Sequence, residues 1–131
     1  MGAMSRNKGN AGERELAAIL REELGADITR NLVQAREGGC DLIGVDGWAV
    51  ECKRVHEATG SDLRAWWAQA EGQALAAGKR PVLAFREDRR EWRVVVNLCD
   101  IAPDVERWGG YDWTATMSVP AWCALVRERM T

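Results

Sequence analysis

The chain has 131 residues, enough for one hydrophobic core and too few for two. Lys and Arg number 18 against 20 Asp and Glu, so the chain is close to neutral, which excludes a nucleic-acid binder that works through an overall positive field. No apolar run approaches the ~18 residues that a membrane span needs, and the hydrophobic fraction of 47% is that of an ordinary globular protein.

Met1 to Ala3, ahead of Met4, read as the remnant of an expression tag, which leaves 4–131 as a single domain. A polar lead gives way to a helix from Gly12 to Gly25, with Leu16, Ile19, Leu20 and Leu24 at helical spacing. Glu13 falls on or beside the inward face of that helix. Asp27 to Gln34 reads as a strand built around Ile28, Leu32 and Val33, broken by Gly38-Gly39. Asp41–Val45 and Trp48–Lys53 form two further strands joined at Asp46-Gly47, a hairpin signal. Ser61 is the expected N-cap of a second helix reaching Gly78, with Leu63, Trp66, Trp67, Ala70, Ala74 and Ala77 as its apolar stripe. Pro81–Arg86 and Trp92–Leu98 are strands. The segment 103–116 carries too few cues to assign, and Ser118 with Pro120 opens a last helix. The order α-β-β-β-α-β-β-α, with a helical crossover between Lys53 and Pro81, indicates a mixed sheet with helices on its faces.

The hairpin carries the chemistry, and its register decides how. A two-residue turn pairs Val45 with Trp48 and sends Asp41 and Glu51 to opposite faces. A three-residue loop with Gly47 in a left-handed bulge position pairs Gly44 with Trp48, placing Asp41 opposite Glu51 with Lys53 on the same face. Both registers are open at this level. In the second, two opposed carboxylates are destabilising unless a charge compensates. Divalent Mg²⁺ takes carboxylate oxygens, carbonyls and water, and Lys53 can orient an attacking water and stabilise charge on a phosphate. An E-x-K triplet alone arises by chance in roughly one chain in three of this length, so the surrounding sequence must carry the argument.

That surrounding sequence comprises Lys8-Gly9, Gly12-Glu13-Arg14-Glu15-Leu16, Arg30, Gly38-Gly39, Asp41-Leu42-Ile43 and Val50-Glu51-Cys52-Lys53. It continues with Gln69, Gly78, Pro81-Val82-Leu83-Ala84-Phe85-Arg86 and Trp92. In this order it resembles the PD-(D/E)XK nuclease superfamily, in particular archaeal-type Holliday-junction resolvases and similar phage-borne endonucleases. The resemblance implies an α/β, restriction-endonuclease-like core: a central mixed sheet of about five strands flanked by helices. It implies a metal, Mg²⁺ with Mn²⁺ as a substitute, held by Asp41, Glu51 and the backbone carbonyl of Cys52 and completed by Glu13. Lys53 would position the water, Gln69 would reach the site from the second helix, and in-line attack would leave a 5′-phosphate. Lys8, Arg30 and Arg36 would contact DNA, branched or duplex, Arg engaging phosphate bidentately. A homodimer follows for a resolvase, since two symmetric strands need two sites. The expected compartment is the cytoplasm of a bacterial or phage-infected cell, with no membrane partner and a place in DNA recombination. Two departures stand out: Cys40 replaces the proline that names the motif, and Glu37 stands where junction resolvases tend to carry serine. The alternative is a nuclease-fold DNA-binding or partner-dependent subunit with no activity of its own.

Other residues read blandly. Cys40, Cys52, Cys99 and Cys123 lack zinc-site spacing and are expected as reduced thiols. His56, the single histidine, is not expected to act in catalysis. Of seven tryptophans, Trp48, Trp66 and Trp92 read as core. Trp108, Tyr111 and Trp113 lie in a glycine-containing loop, where aromatics stack on bases or pack a dimer interface; burial under the loop is the favoured reading.

Overall fold

The computed structural model describes the backbone at 2–32 and 40–130, and side chains at 9–32 and 40–128. The Lys8 side chain, Arg36, Gly38-Gly39 and Val33 therefore lie outside the described residues. The elements are α1 (Gly2–Leu24), β1 (Thr29–Arg30), β2 (Leu42–Ile43), β3 (Trp48–Val55), α2 (Gly60–Ala77), β4 (Arg80–Glu87), β5 (Arg93–Asn97), α3 (Leu98–Ile101), a 3₁₀ turn (Tyr111–Trp113), β6 (Thr114–Ser118) and α4 (Val119–Met130). The strands form one sheet in sequence order, β1 to β6. Every neighbouring pair is antiparallel except β3 and β4, which run parallel across the α2 crossover.

Alternation along β3 divides the interior in two. Trp48, Val50 and Cys52 face a core with Leu16, Leu20, Val82, Val94, Trp122 and Val126, closed by α1 and α4. On the other face Leu83, Phe85 and Val95 meet Trp67 and Ala70 of α2. Glu51 pairs with Leu83 and Lys53 with Phe85, so the acid and the lysine stand on the α2 face.

Past the turn the strands keep the register expected of the three-residue loop, Leu42 pairing with Val50. The turn itself closes over two residues, Asp46-Gly47, with the Trp48 N–H donating to the Val45 carbonyl at 3.1 Å and Gly47 at φ 82°, and the extra residue is taken up between Leu42 and Val45. Gly44, at φ 116°, lies against β1, where an added Cβ would stand 2.5 Å from the Asp27 carbonyl oxygen and 2.9 Å from Ile28 Cα. Both obstacles are backbone. Gly44→Ala should therefore lower unfolding free energy by about 2–4 kcal/mol, measured by urea denaturation.

Several expected boundaries move. The helix expected from Gly12 begins ten residues earlier, and Gly12 is instead a buried point of contact within it: an added Cβ would meet Arg54 Cβ at 2.6 Å. Of the strand expected at Asp27–Gln34, Thr29–Arg30 is strand among the described residues, and Val33 and Gln34 lie outside them. The partner strand β2 is only two residues long, and Leu32 is exposed. The cap of α2 is Thr59, not Ser61: Thr59 Oγ1 accepts from the Asp62 N–H, and the Asp62 carboxylate accepts from the Thr59 N–H. The unassigned segment supplies the sixth strand, β6. Its pairing with β5, Val95 against Thr116 and Val94 against Met117, overrides a sequence with weak apolar alternation. Trp66 is half-buried, and Trp67 and Trp122 are the fully buried indoles. Trp108 and Trp113 are 51% and 48% exposed, so the expected burial under the loop is corrected.

Candidate metal centre

The site forms where β2 stops and β3 continues. Pairing between them ends at Leu42 and Val50, with the Asp41 N–H donating to the Val50 carbonyl at 2.8 Å. Beyond that point the Cys52 N–H faces the gap. The Asp41 carboxylate fills it, Oδ2 accepting from the Cys52 N–H at 2.8 Å. The N–H and C=O of one strand residue point to the same side, so the Cys52 carbonyl faces the gap too. On the other side of the gap, Asn31 donates its N–H to the Asp41 carbonyl and its side-chain amide to the Cys40 carbonyl. These bonds fix the backbone on both sides of Asp41.

Glu51, 1% exposed, lies beside this fork. Among the described residues no N–H donates to either of its carboxylate oxygens, and the Asp41 carboxyl lies within hydrogen-bonding reach. Burial first, and then the Asp41 charge, push its carboxyl up to about 8. Burial also pushes Asp41 up to about 6, against the lowering effect of the Cys52 N–H. Lys53, half-buried two residues along β3, favours the charged form of both acids. Burial raises the Cys52 thiol, so this residue offers a hard carbonyl oxygen, not a thiolate. Two adjacent buried carboxylates and a carbonyl, with no N–H donor on Glu51, fit a hard divalent cation. Among the described residues no three His, Cys, Asp or Glu side chains form a cage alone, so waters would complete the shell, as is usual for Mg²⁺.

The other expected residues are spread around this fork. Glu13 of α1 is near enough for its charge to raise both acids. Its Oε1 is held by Arg30 Nε at 3.0 Å, while Arg30 Nη2 donates to Asn10 at 2.9 Å. Arg30 thus bridges β1 to α1 and steadies Glu13. Gln69 is exposed on α2. Arg64 and Glu71 bind Asp112 and the Gly110 N–H, so that flank of α2 faces the 108–113 segment. Gln73 lies roughly half a turn round the helix from them, on the β3 side and nearer the buried stripe than Gln69. It is half-buried, and its Oε1 is buried with no hydrogen-bond partner among the described residues. Gln69 and Gln73 stand four residues apart on α2, and packing alone separates them. His56 is exposed and bonded to Asp88 at 2.8 Å.

Comparisons with known proteins bear on the family and the fold. The profile of a family described as "Phage putative PDDEXK endonuclease" matches residues 4–108. No curated protein sequence matches the chain significantly. Among solved structures, the fold is similar to that of Archaeoglobus fulgidus Hjc, described as a Holliday junction resolvase from an archaeal hyperthermophile. The TM-score is 0.56 and the identity 19%, over 89% of this chain and 96% of that one.

Proposed function

Because this chain belongs to the family of phage PDDEXK endonucleases, we propose that it is a metal-dependent DNA endonuclease that accepts branched DNA. The observation that carries the reading is Glu51: a buried carboxylate that no N–H reaches, against a second buried carboxyl, Asp41, at the end of the β2–β3 ladder. A structural role gives no reason to keep two acids there, because burial forces one of them to stay protonated or to carry a costly buried charge.

In this reading Asp41, Glu51 and the Cys52 carbonyl hold Mg²⁺, or Mn²⁺ in its place, and Glu13 joins through its free oxygen or a water. The bound cation supplies Lewis-acid polarisation of the phosphate and eases deprotonation of water. Asp41 Oδ2 stays on the Cys52 N–H, which leaves Oδ1 for the ligand. Lys53 shares the Glu51 face of β3, orients the water for attack on phosphorus, and offsets charge growing on the phosphate oxygens. Arg30 keeps Glu13 turned toward the fork and, with Lys8 and Arg36, supports phosphate contacts that carry no sequence information. A symmetric junction has two strands to cut, so activity on it calls for two copies of the chain.

Labelled four-way junction and linear duplex of the same sequence, incubated with Mg²⁺, Mn²⁺ or EDTA, test the reading. Cutting in the metals and not in EDTA supports it, and the junction-to-duplex ratio reads the branch preference. If folded protein cuts neither substrate, the binding or partner-dependent subunit replaces it. Gln73 takes the α2 role expected of Gln69: Gln73→Ala should slow cutting by about tenfold, and Gln69→Ala by less than half. The two single-turnover rates, measured side by side, decide between the glutamines.

A further inference from the structure

On the flank of α2 away from Gln73 lies a cavity of about 730 Å³, bounded by the C-terminal half of α2, the start of β4 and the segment at 107–109. Its lining holds three cations, Lys79, Arg80 and Arg107, against one acid, Glu71. Glu71 is turned onto the Gly110 N–H at 3.1 Å. Lys79 is exposed and makes no ion pair among the described residues. Arg80 and Arg107 both reach the buried Asp100 carboxylate, Arg80 at 3.4 Å, while their side chains stay 40% and 43% exposed. Arg80 also lies 5.6 Å over the Trp48 ring. Asp100 and Trp48 therefore fix two guanidiniums from behind and leave their outer edges to solvent.

Between the lining residues Arg107 and Gly109 stands Trp108. Its indole meets that of Trp113 with centroids 5.9 Å apart and planes 33° apart, each ring about half exposed. The placement is built. Asn97, 1% exposed, donates to the Trp108 carbonyl at 2.8 Å and accepts from the Cys99 N–H. Tyr111, between the two tryptophans in sequence, lies under the Arg64 guanidinium at 5.6 Å.

We propose that this cleft and the adjoining Trp108–Trp113 pair bind single-stranded nucleic acid, phosphates against Lys79, Arg80 and Arg107 and bases against the indoles. Cations that track a backbone, beside aromatic faces open to stacking, are what recognition of unpaired strands requires, and duplex bases present no free face. A second copy of the chain fits poorly: in a two-fold contact this patch would meet itself, cations against cations. The inference deepens the nuclease reading, resting on it only for the choice of DNA as the polymer. It places an unpaired arm or flap on the opposite side of α2 from the acids.

The test is binding in EDTA, so that it does not depend on cutting. Fluorescence anisotropy of a labelled oligothymidylate of about ten nucleotides is followed for wild type, Trp108→Ala, Trp113→Ala and Lys79→Glu. All three positions are exposed, and circular dichroism with thermal melting confirms that each variant folds. Each tryptophan variant should weaken binding about five- to a hundredfold. Lys79→Glu should weaken it and lower the slope of log affinity against log salt by about one or more. Unchanged affinity in all three overturns the proposal. So does a loss confined to molecular mass by light scattering, which would make the surface a self-interface. A wild type that binds the oligomer through these residues yet cuts no DNA in Mg²⁺ leaves the cleft standing and sinks the nuclease reading alone.

Discussion

Glu51→Gln should reduce cutting at pH 8 by at least about a thousandfold, roughly 4 kcal/mol of lost transition-state stabilisation, with the fold intact. Glutamine keeps the shape of the side chain and removes the charge. The metal-free protein already holds this carboxyl protonated below about pH 8, so the amide replaces a group that is neutral under folding conditions. What is lost is an anionic ligand for the cation. Lys53→Ala acts at a different point, on the water and the phosphate, and should cost about a hundred- to a thousandfold. Single-turnover rates on duplex with saturating Mg²⁺ measure both, beside thermal melts of each variant. Glu51→Gln within tenfold of wild type would remove this carboxylate from the metal centre.

The second expectation concerns pH. Without metal, stability should fall as pH rises from about 4.5 to about 8. In an unfolded chain Glu51 and Asp41 lose their protons near their ordinary values of 4.5 and 3.8, whereas the folded protein keeps them to about 8 and about 6. Within that window the folded state binds more protons than the unfolded one, so each step upward in pH favours unfolding. Below the ordinary values both states are protonated and the effect is fully present as stability. Above about 8 it is gone, for a total on the order of a few kcal/mol. Mg²⁺ acts in the opposite sense, binding ionised oxygens of the folded state only. The melting temperature in EDTA should decline from pH 5 to pH 8, and Mg²⁺ should raise it more at pH 8 than at pH 5. Glu51→Gln should flatten the decline and abolish most of the Mg²⁺ effect. A melting temperature in EDTA that climbs over the same range contradicts the burial of these acids.

The parts of this molecule legible in the sequence are those set by local chemistry. Glycine at position 47, after Val45-Asp46, permits the left-handed turn that brings Asp41 and Glu51 together. Yet two turn lengths satisfied the same residues, and the structure combines them: a two-residue Asp46-Gly47 turn, then one extra residue before Leu42 meets Val50. Thr59 and Ser61 are equally good caps by type; the reciprocal bond with Asp62 picks Thr59. β6 was illegible because Thr114–Ser118 carries little apolar alternation and becomes a strand by pairing with β5. Gln69 and Gln73 differ only in how far each lies from the buried stripe of α2, a matter of tertiary packing. Trp108 and Trp113 were expected buried under their loop, yet each is about half exposed, and a hydrogen bond from Asn97 to the Trp108 carbonyl ties the loop to the end of β5.

Asp41 has a divided carboxylate: one oxygen completes the backbone ladder through the Cys52 N–H, and in the proposed metal centre the other would meet the cation. Its rotamer is thus frozen during folding. A cation arriving at the fork does not have to immobilise this side chain, a step that would otherwise cost about 0.5–1.5 kcal/mol of conformational entropy. Asp41→Asn keeps an acceptor for that N–H, so it should fold with its side chain already ordered. That would make it a suitable variant for capturing DNA on the enzyme without consuming it.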